Sequence, residues 1–403
     1  MVSSSESGLR VRPGSYAGTL TYAHAGAAAP LAQPKETRDS GLVRCGAGPW
    51  GEIEYHHVYL EASAQLLSHF PMPSTRARWS FPGATRSKLE ALFDSVQIPR
   101  AWVDQWFSPG HLLDQGGVIH ILPPIEHLEG LHPEQRSVIY RELAAHAANH
   151  FHRDPVFITS GDVWDYFRHT NVAADHVRWF ERMCYRRGSV LCFSDHATLI
   201  GRARGAAEAR RLFNVCSRSR AVIARLRVSA GMDCEALLAY WENRSSRKSV
   251  LPLLHGLMDL GEEGTLDLIH LLPPLARKLL NSYPPLELAK HGRMPDCHWS
   301  TLNFFNYEPQ ECFLDLRLGA SHVLEHYEKV SAPYRYGDAL FFNDAPNGGS
   351  FHSCVYLADD LVFAKNGEGA ANPWCITHLE EQKQVYLSGK PGLIQAYRCR
   401  TEP

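Results

Sequence analysis

Two apolar segments near the C-terminus are separated by a short turn that contains two aspartates, and this spacing restricts the chain to an antiparallel hairpin. The segments cover residues 351–357 and 361–364, and each has the length and composition of a β-strand. A two-residue loop would place Ser353 opposite Asn366, whereas a three-residue loop would place His352 there. The two registers exclude each other, because a slip of one residue turns every side chain to the other face of the sheet.

We expect the longer loop, because it collects the apolar side chains of both strands on one face. Alternation then puts His352, Cys354 and Tyr356 together on the other face of their strand. The longer loop also leaves the amide oxygen of Asn366 able to accept a hydrogen bond from the ring N–H of His352. Lys365 is expected to extend towards solvent or to pair with an aspartate of the turn, rather than to act directly.

The composition changes along the chain and indicates three regions. Residues 1–45 are rich in Ser, Gly, Ala and Pro and are predicted to be a flexible lead-in. Residues 46–285 carry mainly helical apolar periods, which predict a helix-rich domain of unassigned role. Residues 286–403 combine a predicted helix near 297–306 with several short strands. The expected fold class is therefore α+β.

Local patterns give more specific predictions within these regions. A one-sided apolar stripe predicts a helix over 56–70, and a second long helix is expected over 205–229. A proline in the first turn favours a helix from Pro133 to Phe151. Short apolar runs at 338–342 and 384–387 are predicted to be strands.

The charge balance and the cysteine spacing exclude several classes of protein. The 41 basic and 43 acidic residues in a chain of 403 give no reason to expect nucleic acid or an anionic membrane as a partner. The ten cysteines contain no Cys-x-x-Cys pair, which favours reduced thiols over disulfides or zinc. With no signal peptide and no run of about 18 apolar residues, we expect a cytoplasmic protein without a transmembrane segment or cofactor.

Cys297 stands where a reactive thiol is expected. Pro295 and Asp296 precede it, and both residue types favour the start of a helix. A thiol in the first turn lies at the positive end of the helix dipole, which lowers its pKa and raises its thiolate fraction. A nucleophilic thiol needs a base, and His352 is the best candidate, with Asn366 as the residue that orients it.

In their order and spacing these residues resemble the NlpC family of papain-like cysteine peptidases. The matching pieces are an Asp-Cys pair at a helix start, then YRYGDALFF about forty residues later, then FHSCVYLAD. By position, Cys297 matches the nucleophile of the family, His352 the base, and Asp296 the acidic neighbour of the cysteine. Gly337 and Asp338 match the residues that open the preceding strand.

The resemblance implies a papain-like module in which the catalytic helix packs on an antiparallel sheet and Cys297 attacks a carbonyl carbon. Backbone N–H groups at the helix start would stabilise the oxyanion. Asp296, His298 and Tyr336 lie in or beside the matching motifs and are expected to contact the substrate. Members of the family mostly cleave amide bonds of cell-wall peptides, so the expected activity is hydrolysis of a peptide or another amide.

The sequence also departs from the family pattern. His298 and Trp299 follow Cys297 where Ser-Gly is usual, and Ala364 stands where the orienting residue is usual, so that Asn366 would have to substitute. Two alternatives therefore stay open: a papain-like binding protein without catalytic activity, and an acyltransferase with the same nucleophile. The helix-rich domain is a candidate surface for a protein partner.

A metal site in the middle region is a further alternative. Glu142, His146 and His150 recur every four residues, which would align them on one helix face, with His152 and Asp154 nearby. The chain has 22 histidines, however, so chance alignments are expected, and the motif His-Glu-x-x-His is absent. We therefore predict no bound metal.

Overall fold

The computed structural model describes residues 41–241, 247–260, 263–344, 349–389 and 391–400. These residues form two compact units. Among the described residues, the inserted unit is Glu61–Arg218, and the main unit combines residues 41–60 with those from Ser219 onwards. The division differs from the boundary predicted near residue 285, because residues 219–285 belong with the predicted C-terminal module. Most of the predicted lead-in lies outside the described residues.

The chain begins in the main unit and then passes through the inserted unit. Two strands come first, β1 (Val43–Arg44) and β2 (Ile53–Leu60). The helices of the inserted unit are α1 (Ala64–Ser68), α2 (Arg86–Ser95), α3 (Arg100–Trp106), α4 (Ile125–Gly130), α5 (Pro133–Ala144), α6 (His150–Arg153), α7 (Val163–Tyr166), α8 (Ala174–Met183), α9 (His196–Gly201) and α10 (Ala206–Val215). Its strands form two three-stranded antiparallel sheets and are β3 (Trp79–Pro82), β4 (Leu112–Gln115), β5 (Val118–Ile121), β6 (Val156–Ile158), β7 (Tyr185–Arg187) and β8 (Val190–Phe193).

The rest of the main unit alternates helices with strands that complete two antiparallel sheets. Its helices are α11 (Cys234–Trp241), α12 (Arg247–Asp259), α13 (Pro274–Leu279), α14 (Leu286–Lys290), α15 (Cys297–Leu302), α16 (Leu316–His326) and α17 (Leu379–Leu387). Its further strands are β9 (Ser219–Val228), β10 (Gly264–Asp267), β11 (Tyr327–Val330), β12 (Ala339–Asn343), β13 (Ser350–Ala358), β14 (Leu361–Lys365), β15 (Trp374–His378) and β16 (Leu393–Cys399). The sheet orders are β1-β2-β9-β10 and β11-β16-β12-β13-β14-β15.

The α+β class predicted from the sequence is confirmed, since both units mix helices with antiparallel sheets. Within the described residues, no helix is long and apolar enough to cross a membrane. The predicted strand at 338–342 corresponds to β12, and the predicted helix near 297–306 corresponds to the shorter α15.

Two predicted helices are correct only in part, because a strand takes the place of the rest of each segment. The segment 56–70 starts within β2 and then contains α1, and the segment 205–229 contains α10 followed by β9. Buried and exposed side chains alternate from Val222 to Val228, which is a strand period. β2 pairs along its whole length with β9, from Ile53 opposite Leu226 to Leu60 opposite Ser219.

Two other segments end or fold differently from the prediction. The helix that begins at Pro133 ends at Ala144, not at Phe151. The run 384–387, predicted to be a strand, is the last part of α17, which starts with Glu380 and Glu381 in its first turn. Acidic side chains stabilise the first turn of a helix, and this signal lies just before the apolar run.

The hairpin between β13 and β14 combines the two registers that the sequence left open. Its turn has only two residues, between Ala358 and its partner Leu361, and Asp359 has a φ of +50°. A bulge between Tyr356 and Ala358 then shifts the pairing, so that Tyr356 lies opposite Val362. The body of the hairpin thus has the register predicted for the longer loop, although the loop itself is shorter.

The six-stranded sheet is covered on both faces. One face contributes Val355, Leu357 and Phe363 to an apolar core that also contains Trp299 and Leu302 of α15. The other face carries a second apolar cluster, which joins side chains of the central strands to α17 and consists of Leu340, Phe342, Cys354, Tyr356, Val362, Ala364, Leu379 and Ala396. The face towards which a side chain of β13 points therefore decides which helix it meets.

We predict that Asp338→Asn destabilises the main unit. Asp338 is 1% exposed and accepts hydrogen bonds from Arg398 Nε (2.7 Å) and Nη2 (2.8 Å) and from the backbone N–H of Arg335 (2.8 Å). The amide removes the charge that holds the guanidinium, so the free energy of unfolding should fall by about 2–3 kcal/mol in urea titrations. The control is Glu328→Gln, which removes an exposed acid opposite Arg398 and should change stability by less than about 0.5 kcal/mol. Equal effects of the two substitutions would contradict the prediction.

Candidate active site

Helix α15 starts at Cys297 because Asp296 caps it. The Asp296 carboxylate accepts a hydrogen bond from the backbone N–H of Trp299 at 2.7 Å, which satisfies one of the free donors of the first turn. Trp374 Nε1 donates to Ser300 Oγ at 2.8 Å and ties the helix to β15. Asp296 therefore has a structural role as the helix cap, which uses its Oδ1, and its predicted contact with substrate stays a prediction.

The Cys297 thiol is buried, and its electrostatic environment differs from the prediction. Only 5% of the residue is exposed. Burial, followed by the negative charge of Asp296, raises the pKa of the thiol to about 12. The backbone N–H groups of Ser353 and His298 and the charge of Lys365 lower the pKa but do not compensate. The predicted lowering by the helix dipole is therefore wrong, because desolvation outweighs the dipole of a six-residue helix.

Lys365 is the cationic group that interacts with Cys297. It is 0% exposed, and its Nζ donates to the carbonyl oxygens of Gly367 (2.7 Å) and Gly369 (3.1 Å). The same Nζ lies 5.6 Å from the ring centroid of Trp374. Burial lowers the pKa of Lys365 to about 7, against the opposing effects of Cys297, Asp296 and Glu368. The sequence-based expectation of a solvent-directed or aspartate-paired lysine is wrong.

The side chain of His298 is directed at the sheet next to Cys297. Its Nδ1 is hydrogen-bonded to Ser353 Oγ at 2.9 Å, and Ser353 Oγ donates to Thr301 Oγ1 at 3.0 Å. The ring stacks on Phe341, with the ring centroids 5.8 Å apart and an angle of 11° between the planes. Burial lowers the pKa of His298. These contacts lock α15 onto β13 through the Ser353 face of that strand.

His352 lies on the opposite face of β13 and does not meet Cys297. Its ring stacks on Tyr386 of α17, with centroids 3.7 Å apart and planes at 8°, and it packs against Phe342. Burial lowers the pKa of His352 far below its usual value. A weak hydrogen bond with the side chain of Gln382 opposes this lowering but does not compensate for burial. The predicted Cys297–His352 dyad is thus not formed, because neighbouring residues of a strand point to opposite faces.

The remaining predicted site residues serve other contacts. Tyr336 donates its hydroxyl hydrogen bond to the carbonyl of Leu271 (3.0 Å) and packs against Phe304 and Phe305, so its predicted substrate contact is replaced by packing. Asn366 directly follows β14, and its Oδ1 is buried without a hydrogen-bond partner in the described part of the chain. Asn366 therefore does not orient His352 by a hydrogen bond.

The metal alternative in the inserted unit is not supported by the geometry. Glu142 lies on α5 and is 3.7 Å from His146 Nε2, but that helix ends at Ala144 and His150 begins α6. The spacing of four residues therefore does not continue on one helix face. Among the described residues, no group of three or more His, Cys, Asp or Glu side chains is arranged to hold a metal ion.

The sequence favoured His352 as the base and predicted no direct role for Lys365. The only signal for Lys365 was its place on the strand face shared with Ser353, which the hairpin register determines. Comparison with protein families, curated proteins and solved structures finds no match to this chain.

We predict that the main unit gains stability between pH 7 and pH 10 through Lys365. The pKa of Lys365 is about 7 in the folded chain, against 10.5 for an unperturbed lysine side chain. The unfolded state therefore binds more protons than the folded state across this interval. Linkage then requires the folded state to gain stability as pH rises. The difference in free energy of unfolding between wild type and Lys365→Met should grow by an amount on the order of 3 kcal/mol from pH 7 to pH 10.

The prediction concerns how the stability difference between the two proteins changes with pH. Its absolute value is not informative, because methionine also removes the donor to two glycine carbonyls and alters stability at every pH. The measurement is urea unfolding of both proteins at several pH values. Lys383→Met, an exposed lysine of α17, is the matched control and should show no such pH dependence. Parallel curves for wild type and Lys365→Met would contradict a buried, neutral amine.

We also predict that Cys297 is alkylated slowly. Cys312 is exposed and should react first with iodoacetamide at pH 8, whereas the buried, protonated Cys297 should react at least about 100-fold more slowly. Peptide mass mapping over time measures both rates, and all ten cysteines should react in guanidinium. Faster labelling of Cys297 than of Cys312 would show that its thiolate is exposed and stabilised.

Proposed function

We propose that the main unit is a thiol hydrolase that cleaves an amide or peptide bond, with Cys297 as the nucleophile and Lys365 as the group that accepts and returns its proton. The observation that carries the proposal is the buried amine of Lys365, which interacts with the Cys297 thiol and has a pKa of about 7. An amine with this pKa is a free base in about half of the molecules at neutral pH, as a general base requires. The proposed assembly is papain-like in one respect: α15, with Cys297 at its start, packs on β13 and β14.

The proposed reaction begins with a neutral thiol and a neutral amine. As the sulfur attacks the carbonyl carbon, the thiol proton passes to Lys365 Nζ, and negative charge develops on the carbonyl oxygen. The C–N bond then breaks, and the ammonium of Lys365 returns the proton to the leaving amine. Water attacks the resulting thioester and gives one proton to the amine of Lys365, the C–S bond breaks, and the ammonium returns that proton to the Cys297 sulfur. The carboxylic acid product leaves and loses its remaining proton to solvent.

Two features of the helix start support this chemistry. The first-turn N–H group of Cys297 has no acceptor within the helix, so it is suited to stabilise an oxyanion. Asp296 already binds the N–H of Trp299, and the N–H of His298 interacts with the Cys297 sulfur. Because Cys297 is only 5% exposed, a substrate carbonyl reaches the sulfur only after local opening around the start of α15.

A second candidate function is a papain-like binding protein without turnover. The location of His352 beneath Tyr386 and the raised pKa of the Cys297 thiol favour it. The two candidates differ in one respect that can be measured, the dependence of amine release on Lys365.

We predict that Cys297→Ser and Lys365→Met both abolish amide cleavage, whereas His352→Phe does not. Release of new amine termini is measured on muropeptides and on a panel of fluorogenic peptide amides. The value of kcat/KM should fall at least about 1,000-fold in Cys297→Ser and about 100- to 1,000-fold in Lys365→Met, but less than about threefold in His352→Phe. Phenylalanine keeps the stacking on Tyr386, so loss of fold does not obscure the comparison.

The pH profile provides an independent readout. For the wild type, kcat/KM should rise with pH through an apparent pKa of about 7, because the free amine of Lys365 is the base. Activity that survives in Lys365→Met but is lost in His352→Phe would overturn the assignment of the base. No amine release by the wild type on any substrate would favour the binding protein.

A further inference from the structure

A cavity of about 690 Å³ is formed entirely by residues of the inserted unit. Its apolar lining includes the buried side chains of Val163 and Tyr185 and the half-buried Val138 and Leu191. Cavities of a few hundred to about 1,000 Å³ with an apolar floor and a few polar groups are the usual size and character of ligand sites. An apolar side chain of a ligand could therefore be buried against these four residues, which form the apolar floor of the cavity.

The charged groups that line the cavity are mainly acidic. Glu134 in the first turn of α5, Glu181 near the end of α8, and Asp162 contribute three carboxylates, against the single guanidinium of Arg186. Glu134 and Glu181 are exposed and form no ion pair within the described residues. Asp162 caps α7, and Arg186 donates to the carbonyl of Ser189 at 2.7 Å. The two glutamates therefore remain available to a cationic ligand.

We propose that this cavity binds a short basic peptide segment, which places one apolar side chain on the floor and one lysine or arginine side chain beside Glu134 and Glu181. Charge complementarity selects a cation over an anion, because the lining has three carboxylates and one guanidinium. The volume far exceeds that of a single ion, and the apolar floor adds a binding contribution that a small cation cannot use. Adjacent apolar and basic residues of a peptide match both parts of the lining.

The assignment goes beyond the proposed hydrolase and is independent of Cys297. It gives the inserted unit a role in holding a protein or peptide partner that carries an apolar–basic pair. Cys297→Ser should therefore bind the same peptides as the wild type, whether or not the hydrolase proposal is correct.

The test is calorimetric titration of the full chain with acetyl-leucyl-arginine amide and acetyl-leucyl-glutamine amide. The two probes share the apolar side chain and differ in the cation. At about 50 mM salt the arginine probe should bind about tenfold more tightly than the glutamine probe, and about 300 mM salt should weaken only the arginine probe. In Glu134→Gln/Glu181→Gln the preference for arginine should fall to about twofold or less.

The matched control is Glu142→Gln/Asp175→Asn, which removes the same charge from the same two helices outside the cavity lining and should keep the preference. Val138→Trp, which fills the cavity from α5, should abolish binding of both probes while circular dichroism and the unfolding midpoint confirm the fold. Equal affinity for the two probes, an unchanged preference in the Glu134→Gln/Glu181→Gln protein, or no binding of either probe up to about 5 mM would overturn the proposal.

Discussion

Side-chain alternation along β13 decides which groups of the main unit meet. β12 and β14 hold this strand from both sides, with Phe342 opposite His352 and Val362 opposite Tyr356. A shift of one residue would bring His352 to the α15 face, but it would also move Val355 and Leu357 out of the apolar core. Because both faces of the sheet are packed, the exchanged side chains would enter cores shaped for other residues, and misfitted core side chains typically cost about 1–3 kcal/mol each. The separation of His352 from Cys297 is therefore a consequence of how the core is built.

The same face of the sheet brings a thiol and an amine together where both resist charge. Burial disfavours the thiolate of Cys297 and the ammonium of Lys365, and the attraction between the charged forms does not compensate for the loss of water. The carbonyls of Gly367 and Gly369 still receive hydrogen bonds from Lys365 Nζ, so the neutral amine keeps its geometry. Transfer of the proton from the thiol to the amine is favourable only when the negative charge left on the sulfur can pass to a third group. A substrate carbonyl beside the N–H of Cys297 at the helix start would be such a group.

Sequence signals were sufficient where the determining contacts are local. Asp296 caps α15 from the adjacent position, and the run of apolar residues after the two aspartates sets the hairpin, so both elements could be predicted. The alternation from Val222 to Val228 is a local signal for β9 that the helical interpretation missed, whereas the pairing of Leu60 with Ser219 spans a separation that no local pattern contains. The register of His352 was predicted correctly, but register does not tell which face of a sheet a distant helix covers. Lys365 was misjudged by residue type, since lysine is rarely buried, and its burial depends on the loop that follows β14 and on Trp374.

The position of the inserted unit in the chain follows from one of these long-range pairs. The chain leaves the main unit after Leu60 and returns at Ser219, and these two residues are cross-strand partners at the end of β2 and β9. The chain leaves and re-enters the main unit at neighbouring residues of one strand pair. The four-stranded sheet therefore forms without any strand of the inserted unit. The inserted residues build a separate core, in which the buried rings of Trp79, Phe93 and Trp106 contact one another. Changes at the cavity near Tyr185 and changes at Lys365 therefore act on different sets of packed side chains, and their effects on stability should add.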